Sequence, residues 1–495
     1  MRKDVLEIVQ TLKKLARQGS ELRLDSRTVQ PGDIFVAVPG AHVDGRHFIP
    51  VAVARGAAAV VLETPETPLP AAGVPVIMVK DLLQHLGEIA SGFNDEPTRD
   101  LRGVAVTGTN GKTTTTHWVS SLLSRLGEPC AVLGTVGAKL GDESFESPEL
   151  TTPDAISVQR LFRAVKKAGA RAFAVEASSV GLDQGRLKGS DFKVAVFTNL
   201  TRDHLDYHKT MENYEAAKAI LFAWPGLTGA VVNIDDPAAA TMIRVAREHN
   251  VPVWTTTLTG ARVEADHRLE ARDISLTADG IHFTLLIDGE AHRLQLPQVG
   301  DFNVSNAMEA IAAVMVLGYS AREVLPLVST LPSPPGRMQL FRAENSPLVL
   351  VDYSHTPDAL EKALSSLAPV ARARNGRLWA VFGCGGDRDK GKRPLMGAIA
   401  ARLADETIVT SDNPRSEDPV AIIRDITAGL EGMRTEPDRK AAIFEAVLEA
   451  SPEDVILVAG KGHETYQIIQ GVHHFFSDQE VVKAAFNERR TRTLK

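Results

Sequence analysis

The sequence of 495 residues contains only two cysteines, Cys130 and Cys384. Two thiols exclude a disulfide framework, and they also exclude a metal cluster built on thiolates. Such a low cysteine content is typical of a reducing compartment, and we therefore expect a cytoplasmic protein.

Long apolar segments and an excess of basic residues are absent as well. The most apolar stretches, about 51–62 and 74–79, are far shorter than the roughly 20 residues that span a bilayer. Residues 1–18 have the spacing of an amphipathic helix and lack the apolar core of a signal peptide. The 55 Lys and Arg residues are outnumbered by 62 Asp and Glu residues, for a net charge of -7, whereas nucleic-acid-binding proteins need an excess of positive charge. We therefore expect neither a membrane span nor a nucleic-acid partner.

The length predicts about three domains, at roughly 150 residues each. A polar segment at 94–101 and a proline-rich segment at 331–338 divide the chain into blocks 1–97, 98–331 and 332–495. Short apolar strands alternate with helical segments, which is typical of βαβ units and mostly parallel sheets. The predicted strands are 33–38 and 58–62 in the first block, 103–107, 172–176, 194–197 and 229–234 in the second, and 348–352, 377–382, 406–410 and 454–459 in the third. We expect an α/β protein with a P-loop-type, mostly parallel central sheet flanked by helices, a Rossmann-like C-terminal α/β domain and a smaller N-terminal α/β domain.

The segment Val104–Thr116 is an apolar strand that runs into a glycine loop and then into a helix beginning near Lys112. Backbone N–H groups of such a loop and the positive end of the helix dipole bind phosphate oxygens, while a lysine adds charge and a threonine hydroxyl can bind Mg²⁺. The generic motif has a glycine where this chain has Val106, so the loop is a shorter variant that contains Gly108 and Gly111. A simple strand-to-helix turn is the alternative, but Gly-Lys-Thr-Thr directly after an apolar strand favours phosphate binding.

The loop Thr107–Thr114 resembles the ATP loop of the Mur ligases, which form amide bonds in peptidoglycan precursor synthesis, and of the related folylpolyglutamate synthetases. Further motifs that resemble the family follow in order along nearly the whole chain: Thr151–Asp154, Glu176–Ser179, Thr198–His208, Gly300–Asn306, Pro335–Met338, Asp352–Asp358 and Asp412–Arg415. The resemblance implies an ATP-dependent amide ligase that forms an acyl phosphate on a carboxylate and then transfers the acyl group to an amine. It also implies ATP and Mg²⁺ as cofactors.

The resemblance assigns the nucleotide to the second block and to the start of the third. The implied nucleotide contacts are Gly108, Thr109, Asn110, Gly111, Lys112, Thr113, Thr114, Asn303, Asn306, Arg337 and Asp352. Asn303 and Asn306 lie three apart at a helix start, so both amides can share one face. Asparagine is also a good helix cap, and that alternative stays open.

Cations must neutralise ATP and a carboxylate when the two anions react. The resemblance implies Lys112, Glu176, His204 and Lys218 as catalytic residues, and Thr113, Glu176, His204 and Lys218 as metal ligands. In the family the corresponding lysine is carbamylated by CO₂, which converts an ammonium into an anion that can hold Mg²⁺. Without the family pattern, Glu176 would be a solvated group at a strand end, His204 a loop or cap residue, and Lys218 a surface lysine.

The resemblance implies UDP-N-acetylmuramoyl-L-alanyl-D-glutamate as the acceptor. The implied UDP contacts in the first block are Leu24, Ser26, His42, Val43 and Asp44. The implied muramoyl-peptide contacts in the second block are Thr151, Thr152, Ser178, Gln184 and Arg186. Leu150 and Val180 depart from the Asn and His that the family often shows, and the first-block segments would otherwise be ordinary turns.

The third block is implied to bind the incoming amine, meso-2,6-diaminopimelate. The implied contacts are Arg388, Asp412, Asn413, Pro414, Arg415, Gly460 and Glu464. Pro414 stiffens a turn that projects Arg415, and a guanidinium binds a carboxylate in bidentate geometry. Diaminopimelate has a distal carboxylate that lysine lacks, so an arginine here discriminates between the two. A solvated surface arginine is the alternative.

Three other functions stay open on the sequence. A folylpolyglutamate synthetase would share the ATP loop, but the first block and Asp412–Arg415 argue against it. A lysine-adding muropeptide ligase would share the first two blocks and differ at position 415. A nucleotide-binding scaffold without activity is disfavoured by the intact catalytic set. We expect the protein to act as a monomer.

Overall fold

The structure, a computed structural model, describes residues 2–39, 44–63, 73–148, 150–277 and 280–493. The chain divides into two compact units. The first comprises Met1–Glu270, Leu286–Ala291 and Ser305–Leu327, and the second comprises Ala271–Leu285, His292–Val304 and Val328–Lys495. None of the helices in the described part of the chain is both long and apolar enough to cross a membrane.

The N-terminal part of the first unit is a small sheet covered by helices. Its elements are α1 (Lys3–Leu15), β1 (Leu22–Arg23), β2 (Ile34–Ala37), α2 (Ile49–Ala54), β3 (Ala59–Glu63), β4 (Val76–Val79) and α3 (Leu82–Phe93). The strands are parallel in the order β1-β2-β3-β4. The predicted amphipathic helix is confirmed as α1, which buries Val5, Val9 and Leu12 because apolar residues three or four apart share one helix face.

The central part of the first unit is a larger sheet. Its elements are β5 (Arg102–Thr107), α4 (Lys112–Arg125), β6 (Cys130–Gly134), β7 (Gly137–Leu140), β8 (Glu143–Phe145), α5 (Ala155–Lys167), β9 (Ala172–Glu176), α6 (Ser179–Asp183), β10 (Val194–Phe197), α7 (Leu205–His208), α8 (Met211–Ala219), β11 (Gly229–Asn233), α9 (Ala239–Glu248) and β12 (Val253–Thr257). The strand order is β12-β11-β10-β5-β9-β6-β7-β8. The strands from β12 to β6 are parallel, and β7 and β8 extend the sheet antiparallel.

Strand register places the predicted site residues at one edge of this sheet. Val106 pairs with Glu176, and Thr107 pairs with Phe197. The phosphate loop after β5, the carboxylate that ends β9 and the segment after β10 therefore share the carboxyl edge, where open α/β sheets bind ligands.

The chain then passes between the two units. This stretch contains β13 (His267–Thr277), β14 (Gly280–Ile287), β15 (Glu290–Leu296), α10 (Phe302–Val316) and α11 (Ala321–Val324). Residues His267–Glu270 of β13 pair parallel with β12. From Ser305 onward, α10 belongs to the first unit.

The C-terminal part of the second unit is a sheet with helices on both faces. Its elements are β16 (Gln339–Phe341), β17 (Leu348–Asp352), α12 (Pro357–Ala373), β18 (Leu378–Phe382), α13 (Lys392–Leu403), β19 (Glu406–Val409), α14 (Pro419–Thr427), β20 (Arg434–Thr435), α15 (Arg439–Glu449), β21 (Val455–Ala459), β22 (Tyr466–Ile469), β23 (Val472–Phe475) and α16 (Asp478–Thr493). The order is β16-β17-β21-β18-β19-β20, parallel except for β16. Leu350 faces the core under α12 and α13, while its neighbours Val349 and Val351 face the core under α15 and α16, as the alternation of a strand buried on both sides requires.

The predicted fold class is confirmed. Each predicted strand coincides with an observed one within a residue at either end, because continuous apolar runs bounded by polar turns are characteristic of buried parallel strands. The boundaries of the three blocks stay a prediction. Residues 1–97 and most of 98–331 lie in one compact unit, and the chain enters the other for the last time at Val328.

Candidate active site

The phosphate loop is a tight turn between β5 and α4 in which glycine is required twice. Gly108 has φ 152° and Gly111 has φ 88°. A Cβ on Gly108 would lie 1.9 Å from Thr198 Oγ1, and one on Gly111 would lie 2.4 Å from Asn306 Oδ1. The loop therefore approaches its neighbours more closely than any side chain would allow.

The segment after β10 braces this loop. Thr109 N donates to Asn199 O at 2.8 Å, and Asn110 N donates to Asn199 Oδ1 at 2.9 Å. Thr198 Oγ1 donates to Asn110 O at 2.5 Å. Lys112 Nζ folds back over the loop and donates to the carbonyls of Gly108 and Thr109 at 2.8 and 2.9 Å. The loop is thus preformed, with an ammonium already at its mouth.

Glu176 is buried and joins the phosphate loop to the predicted acceptor residues. Its Oε1 accepts from Thr113 Oγ1 and from Thr135 N, both at 2.9 Å, and its Oε2 accepts from Thr135 Oγ1 at 3.1 Å. Thr135 Oγ1 also lies 3.1 Å from Thr151 Oγ1. The alternative of a solvated strand-end carboxylate is therefore wrong.

The other predicted acceptor residues surround the same strand end. Thr152 Oγ1 donates to the Glu176 carbonyl at 2.7 Å and accepts from Ser178 N at 2.9 Å. Arg186 donates to Thr152 O at 2.7 Å, and two of its N–H groups donate to Oε1 of the exposed Gln184 side chain. The structure brings all five of these residues together, from Thr151 to Arg186.

Lys218 is only 1% exposed, so the interpretation as a surface lysine is wrong. Its Nζ lies 4.4 Å from the centre of the Tyr214 ring, and the Tyr214 hydroxyl lies 3.1 Å from Thr109 Oγ1 in the phosphate loop. Burial lowers the pKa of Lys218 well below its usual range, and the charge of Lys112 acts in the same direction. An amine in this position can be neutral and nucleophilic.

His204 lies near this lysine on the same aromatic ring. Its φ is 52°, its side chain is half exposed, and its ring centre lies 6.0 Å from that of Tyr214. Desolvation lowers its pKa despite the opposing effect of Asp203. Asp203 accepts from His204 N at 2.8 Å, so this carboxylate stabilises the start of α7.

The predicted Mg²⁺ ligands meet as two pairs. Thr113 and Glu176 are in direct contact, whereas His204 and Lys218 share the Tyr214 ring. Within the described ranges, no group of three or more His, Cys, Asp or Glu side chains could hold a metal by itself. One hydroxyl and one buried carboxylate nevertheless fit Mg²⁺, which usually keeps several waters and is held largely by substrate phosphates.

The two predicted asparagines of α10 have different surroundings. Asn306 touches the phosphate loop at Gly111, within the first unit. Asn303 Nδ2 donates to Val299 O at 2.8 Å, within the second unit.

The first-block residues are described only in part. His42 and Val43 lie outside the described residues. Ser26 is buried, and Leu24 packs at the edge of the N-terminal core. Asp44 accepts from Arg46, whose hydrogen bonds lower the pKa of Asp44 to about 2.

In the second unit, the turn that carries Arg337 packs against the turn that begins at Gly460. A Cβ on Gly336 would lie 2.1 Å from His463 N. The Arg337 guanidinium lies 4.6 Å from the Tyr353 ring, and burial raises the pKa of Tyr353 to about 12. Asp352 accepts from Met338 N, Ser354 N and Ser354 Oγ, so it holds the arginine-bearing turn at the end of β17.

The motif Asp412–Arg415 forms a buried polar cluster with the same turn. Asn413 donates to Glu464 Oε2 at 2.8 Å, while its Oδ1 accepts from Lys461 Nζ at 3.0 Å. Lys461, which is fully buried, also donates to Glu464 at 2.9 Å and lies 3.7 Å from Asp412. A Cβ on Gly460 would lie 2.7 Å from Asp412 Oδ2. These residues form one preorganised site.

Arg415 is fixed in an unusual backbone conformation beside this cluster. Its φ is 52°, its N donates to Ile468 O at 2.9 Å, and its Nη1 donates to Gly386 O at 2.9 Å. A Cβ on Gly385 would lie 2.8 Å from Arg415 Nη1 and 3.7 Å from the side chain of Arg388. The absence of a side chain at Gly385 thus leaves room for the Arg415 guanidinium.

Sequence reasoning missed four residues that organise these sites. Thr135 directly follows β6, which lies next to β9 in the sheet. Because open α/β sheets bind ligands at the carboxyl ends of their strands, its position in the sequence could have indicated it. Tyr214 precedes Lys218 by one helical turn, and Lys461 lies between Gly460 and Glu464, which the resemblance already implied as contacts. Arg393, which is 1% exposed and bonds Glu417, Asp425 and Gly385 O, gave no sequence signal.

Three protein-family profiles match the chain in order. Residues 20–94 match the Mur ligase family catalytic domain, residues 106–314 the Mur ligase middle domain, and residues 336–462 the Mur ligase glutamate ligase domain.

Similar proteins cover nearly the whole chain. The UDP-N-acetylmuramoyl-L-alanyl-D-glutamate--2,6-diaminopimelate ligase of Pseudomonas putida is 48% identical over 468 residues, 92% of this chain and 93% of that protein. A solved structure of a ligase with the same name is 39% identical, covers 95% of both chains and has a TM-score of 0.68. The MurF ligase of Thermotoga maritima in complex with ADP is 20% identical over 99% of this chain and all of that one, with a TM-score of 0.64, and so shares the fold.

Proposed function

Because the chain belongs to the Mur ligase family, we propose that it is an ATP-dependent ligase of peptidoglycan precursor synthesis that adds meso-2,6-diaminopimelate to UDP-N-acetylmuramoyl-L-alanyl-D-glutamate. This is the reaction for which the Pseudomonas putida relative is named. The observation that carries the choice of amine is the buried cluster of Asp412, Asn413 and Glu464 beside Arg415.

The reaction needs a leaving group on the acceptor. A γ-carboxylate oxygen of the D-glutamyl residue attacks the γ-phosphorus of ATP, which releases ADP and leaves an acyl phosphate. The amine of diaminopimelate then attacks the acyl carbon, phosphate departs with its bonding electrons, and the nitrogen loses a proton. The products are the amide, ADP and phosphate.

The phosphate loop binds the nucleotide in this scheme. Its backbone N–H groups and the start of α4 receive the phosphates, and Lys112 turns from the loop carbonyls to the transferred phosphoryl group. Thr109 and Asn110 belong to the loop, Thr114 lies in the first turn of α4, and Asn306 lies against Gly111. Asn303, Arg337 and Asp352 are assigned to the rest of the nucleotide.

Thr113 and Glu176 would hold Mg²⁺ between them, with His204 and a carbamylated Lys218 as further ligands. The bound ion supplies positive charge that offsets the repulsion between ATP and the acceptor carboxylate. The burial of Lys218 supports carbamylation, since the low pKa provides the free amine that reacts with CO₂.

The acceptor and the amine are assigned to separate places. Thr151, Thr152, Ser178, Gln184 and Arg186 bind the muramoyl peptide next to Glu176, and the first block binds UDP through Leu24, Ser26 and the segment 42–44. Arg415, with Arg388, binds the distal carboxylate of diaminopimelate, and Glu464 binds its ammonium. Three domains, 1–97, 98–331 and 332–495, would divide this work in the cytoplasm, in a monomeric enzyme.

Phosphate release tests the function. We expect release only when ATP, the UDP-muramoyl dipeptide and diaminopimelate are all present, and we expect lysine to compete poorly with diaminopimelate. Equal use of lysine would overturn the choice of amine. Release with a folate and glutamate would overturn the choice of acceptor.

A further inference from the structure

A carboxylic acid is buried behind the phosphate loop. Glu309 lies on α10, three residues beyond Asn306, and is 1% exposed. Its Oε2 accepts from Thr115 Oγ1 on the phosphate-loop helix, and its Oε1 accepts from Ser305 Oγ, both at 3.2 Å. The side chain thus connects α4 to α10, and both of these contacts lie within the first unit.

These contacts belong to a ring of hydrogen bonds that starts and ends in the phosphate loop. Asn233 Nδ2 donates to Ser305 Oγ at 3.3 Å and to Thr198 O at 2.8 Å. Thr198 Oγ1 donates to the loop carbonyl of Asn110 at 2.5 Å. On the other side, Thr115 N donates to the loop carbonyl of Gly111 at 2.9 Å. Removing Glu309 would open this ring at the point where the two helices meet.

No cation pairs with this carboxyl among the described residues, and desolvation raises the pKa of Glu309 to about 8. An unpaired buried carboxylate is costly, whereas a protonated one can both accept and donate hydrogen bonds. Burial therefore favours the neutral form of the Glu309 carboxyl. A glutamine has almost the same shape and is also neutral.

We propose that Glu309 is a positioning residue that holds the phosphate loop in its nucleotide-binding shape by joining Thr115 to Ser305. The inference rests on the proposed function in that the loop binds ATP. It goes further by giving a role to a residue that contacts neither the loop backbone nor a ligand.

The test measures nucleotide affinity and turnover separately in the full chain. Glu309→Leu removes the hydrogen bonds, Glu309→Gln keeps them, and Thr115→Val removes one partner at nearly constant volume. Ile311→Val is the matched control, because Ile311 is fully buried on the same helix and takes no part in the ring. The probe is a fluorescent ADP analogue with Mg²⁺, and the KM values for ATP, acceptor and amine are measured in parallel.

We expect Glu309→Leu to weaken ADP binding and raise the ATP KM by at least tenfold, with the KM values for acceptor and amine within twofold of the wild type. Glu309→Gln should stay within threefold of the wild type in ADP affinity and in each of the three KM values. Thr115→Val should weaken ADP binding about threefold. The control should lower the melting temperature without changing ADP affinity.

Unchanged ADP affinity in Glu309→Leu would overturn the inference, and so would a Glu309→Gln as weak as Glu309→Leu. If Glu309→Leu does not fold, the ADP affinity of Thr115→Val is the deciding measurement. An ADP affinity of Thr115→Val equal to that of the wild type would then overturn the inference. A failure of the proposed function is distinguishable, because it would appear as a wild type that binds ADP and releases no phosphate with the three substrates.

Discussion

The proposed phosphate site of the first unit and the proposed amine site of the second unit differ in how their buried ionisable groups are partnered. Around the phosphate loop, Lys218 and Glu309 are buried among aromatic rings, hydroxyls and amides, and neither has an oppositely charged partner within ion-pair distance in the described part of the chain. Burial lowers the pKa of Lys218 and raises that of Glu309, so both tend toward the neutral form.

In the second unit the buried charges are paired. Arg439 and Asp478 form a bidentate pair with both side chains fully buried. Arg439 also donates to Ala459 O at the end of β21 and to Ser411 O, two residues beyond β19. Arg393 lowers the pKa of Glu417 to about 2 through two hydrogen bonds. These groups remain ionised because their partners replace the lost hydration.

This contrast agrees with the ligand that we propose for each site. In our proposal the phosphate site takes up CO₂ on a neutral amine, and the buried Lys218 and Glu309 are both shifted toward the neutral form there, near the ammonium of Lys112. In our proposal the amine site binds the distal carboxylate and the distal ammonium of diaminopimelate, which stay ionised while the reacting amine loses its proton, so paired charges suit it.

Lys218→Ala should abolish the proposed chemistry at the phosphate site. We expect kcat to fall about 10³-fold, roughly 4 kcal/mol, with partial recovery on addition of a short carboxylic acid that occupies the space of the carbamate. Phosphate release measures both. Lys167→Ala, at an exposed lysine on α5, should be unaffected, and full activity in Lys218→Ala would remove the case for a modified lysine.

Arg439→Met should destabilise the second unit, because it leaves Asp478 as an unpaired buried carboxylate. Breaking a buried pair costs about 3–5 kcal/mol, and thermal denaturation followed by circular dichroism should show the loss. The double variant Arg439→Met with Asp478→Leu should recover part of the stability lost in the single variant. A single variant as stable as the wild type would show that the pair is not what orders the ends of β19 and β21.

Arg415→Asn should act on amine binding alone. Asparagine tolerates the φ of 52° better than most residues, so the change removes the guanidinium with little backbone strain. We expect the diaminopimelate KM to rise about 30-fold, roughly 2 kcal/mol, with the ATP KM unchanged. Arg424→Asn, at an exposed site on α14, is the control, and equal weakening of both substrates would count against the assignment.

The strands and the phosphate loop were predictable because each is encoded by a local pattern. An apolar run such as Val104–Val106 followed by Gly108 needs no tertiary contact to be identified. The burial of Lys218 was not predictable in this way, since α8 carries ordinary polar residues and the lysine is enclosed by Tyr214 and the loop only after folding. Glu309 gave no signal for the same reason, because its partner Thr115 is far away in the sequence.

The pH dependence of stability distinguishes a neutral Glu309 from a charged one. Burial raises the pKa of Glu309 from its ordinary value of 4.5 to about 8 in the folded protein, so the folded state holds the proton more tightly than the unfolded state. The stabilisation is therefore complete below pH 4.5 and is lost as the pH rises toward 8, by about 1.4 kcal/mol for each pH unit. Glutamine does not titrate, so the melting temperature of the wild type should fall relative to that of Glu309→Gln by several degrees between pH 6 and pH 8.

The Ile311→Val control should follow the wild type across this range. A constant difference between the wild type and Glu309→Gln would show that Glu309 is already ionised, and the contrast between unpaired and paired sites would then fail at this residue.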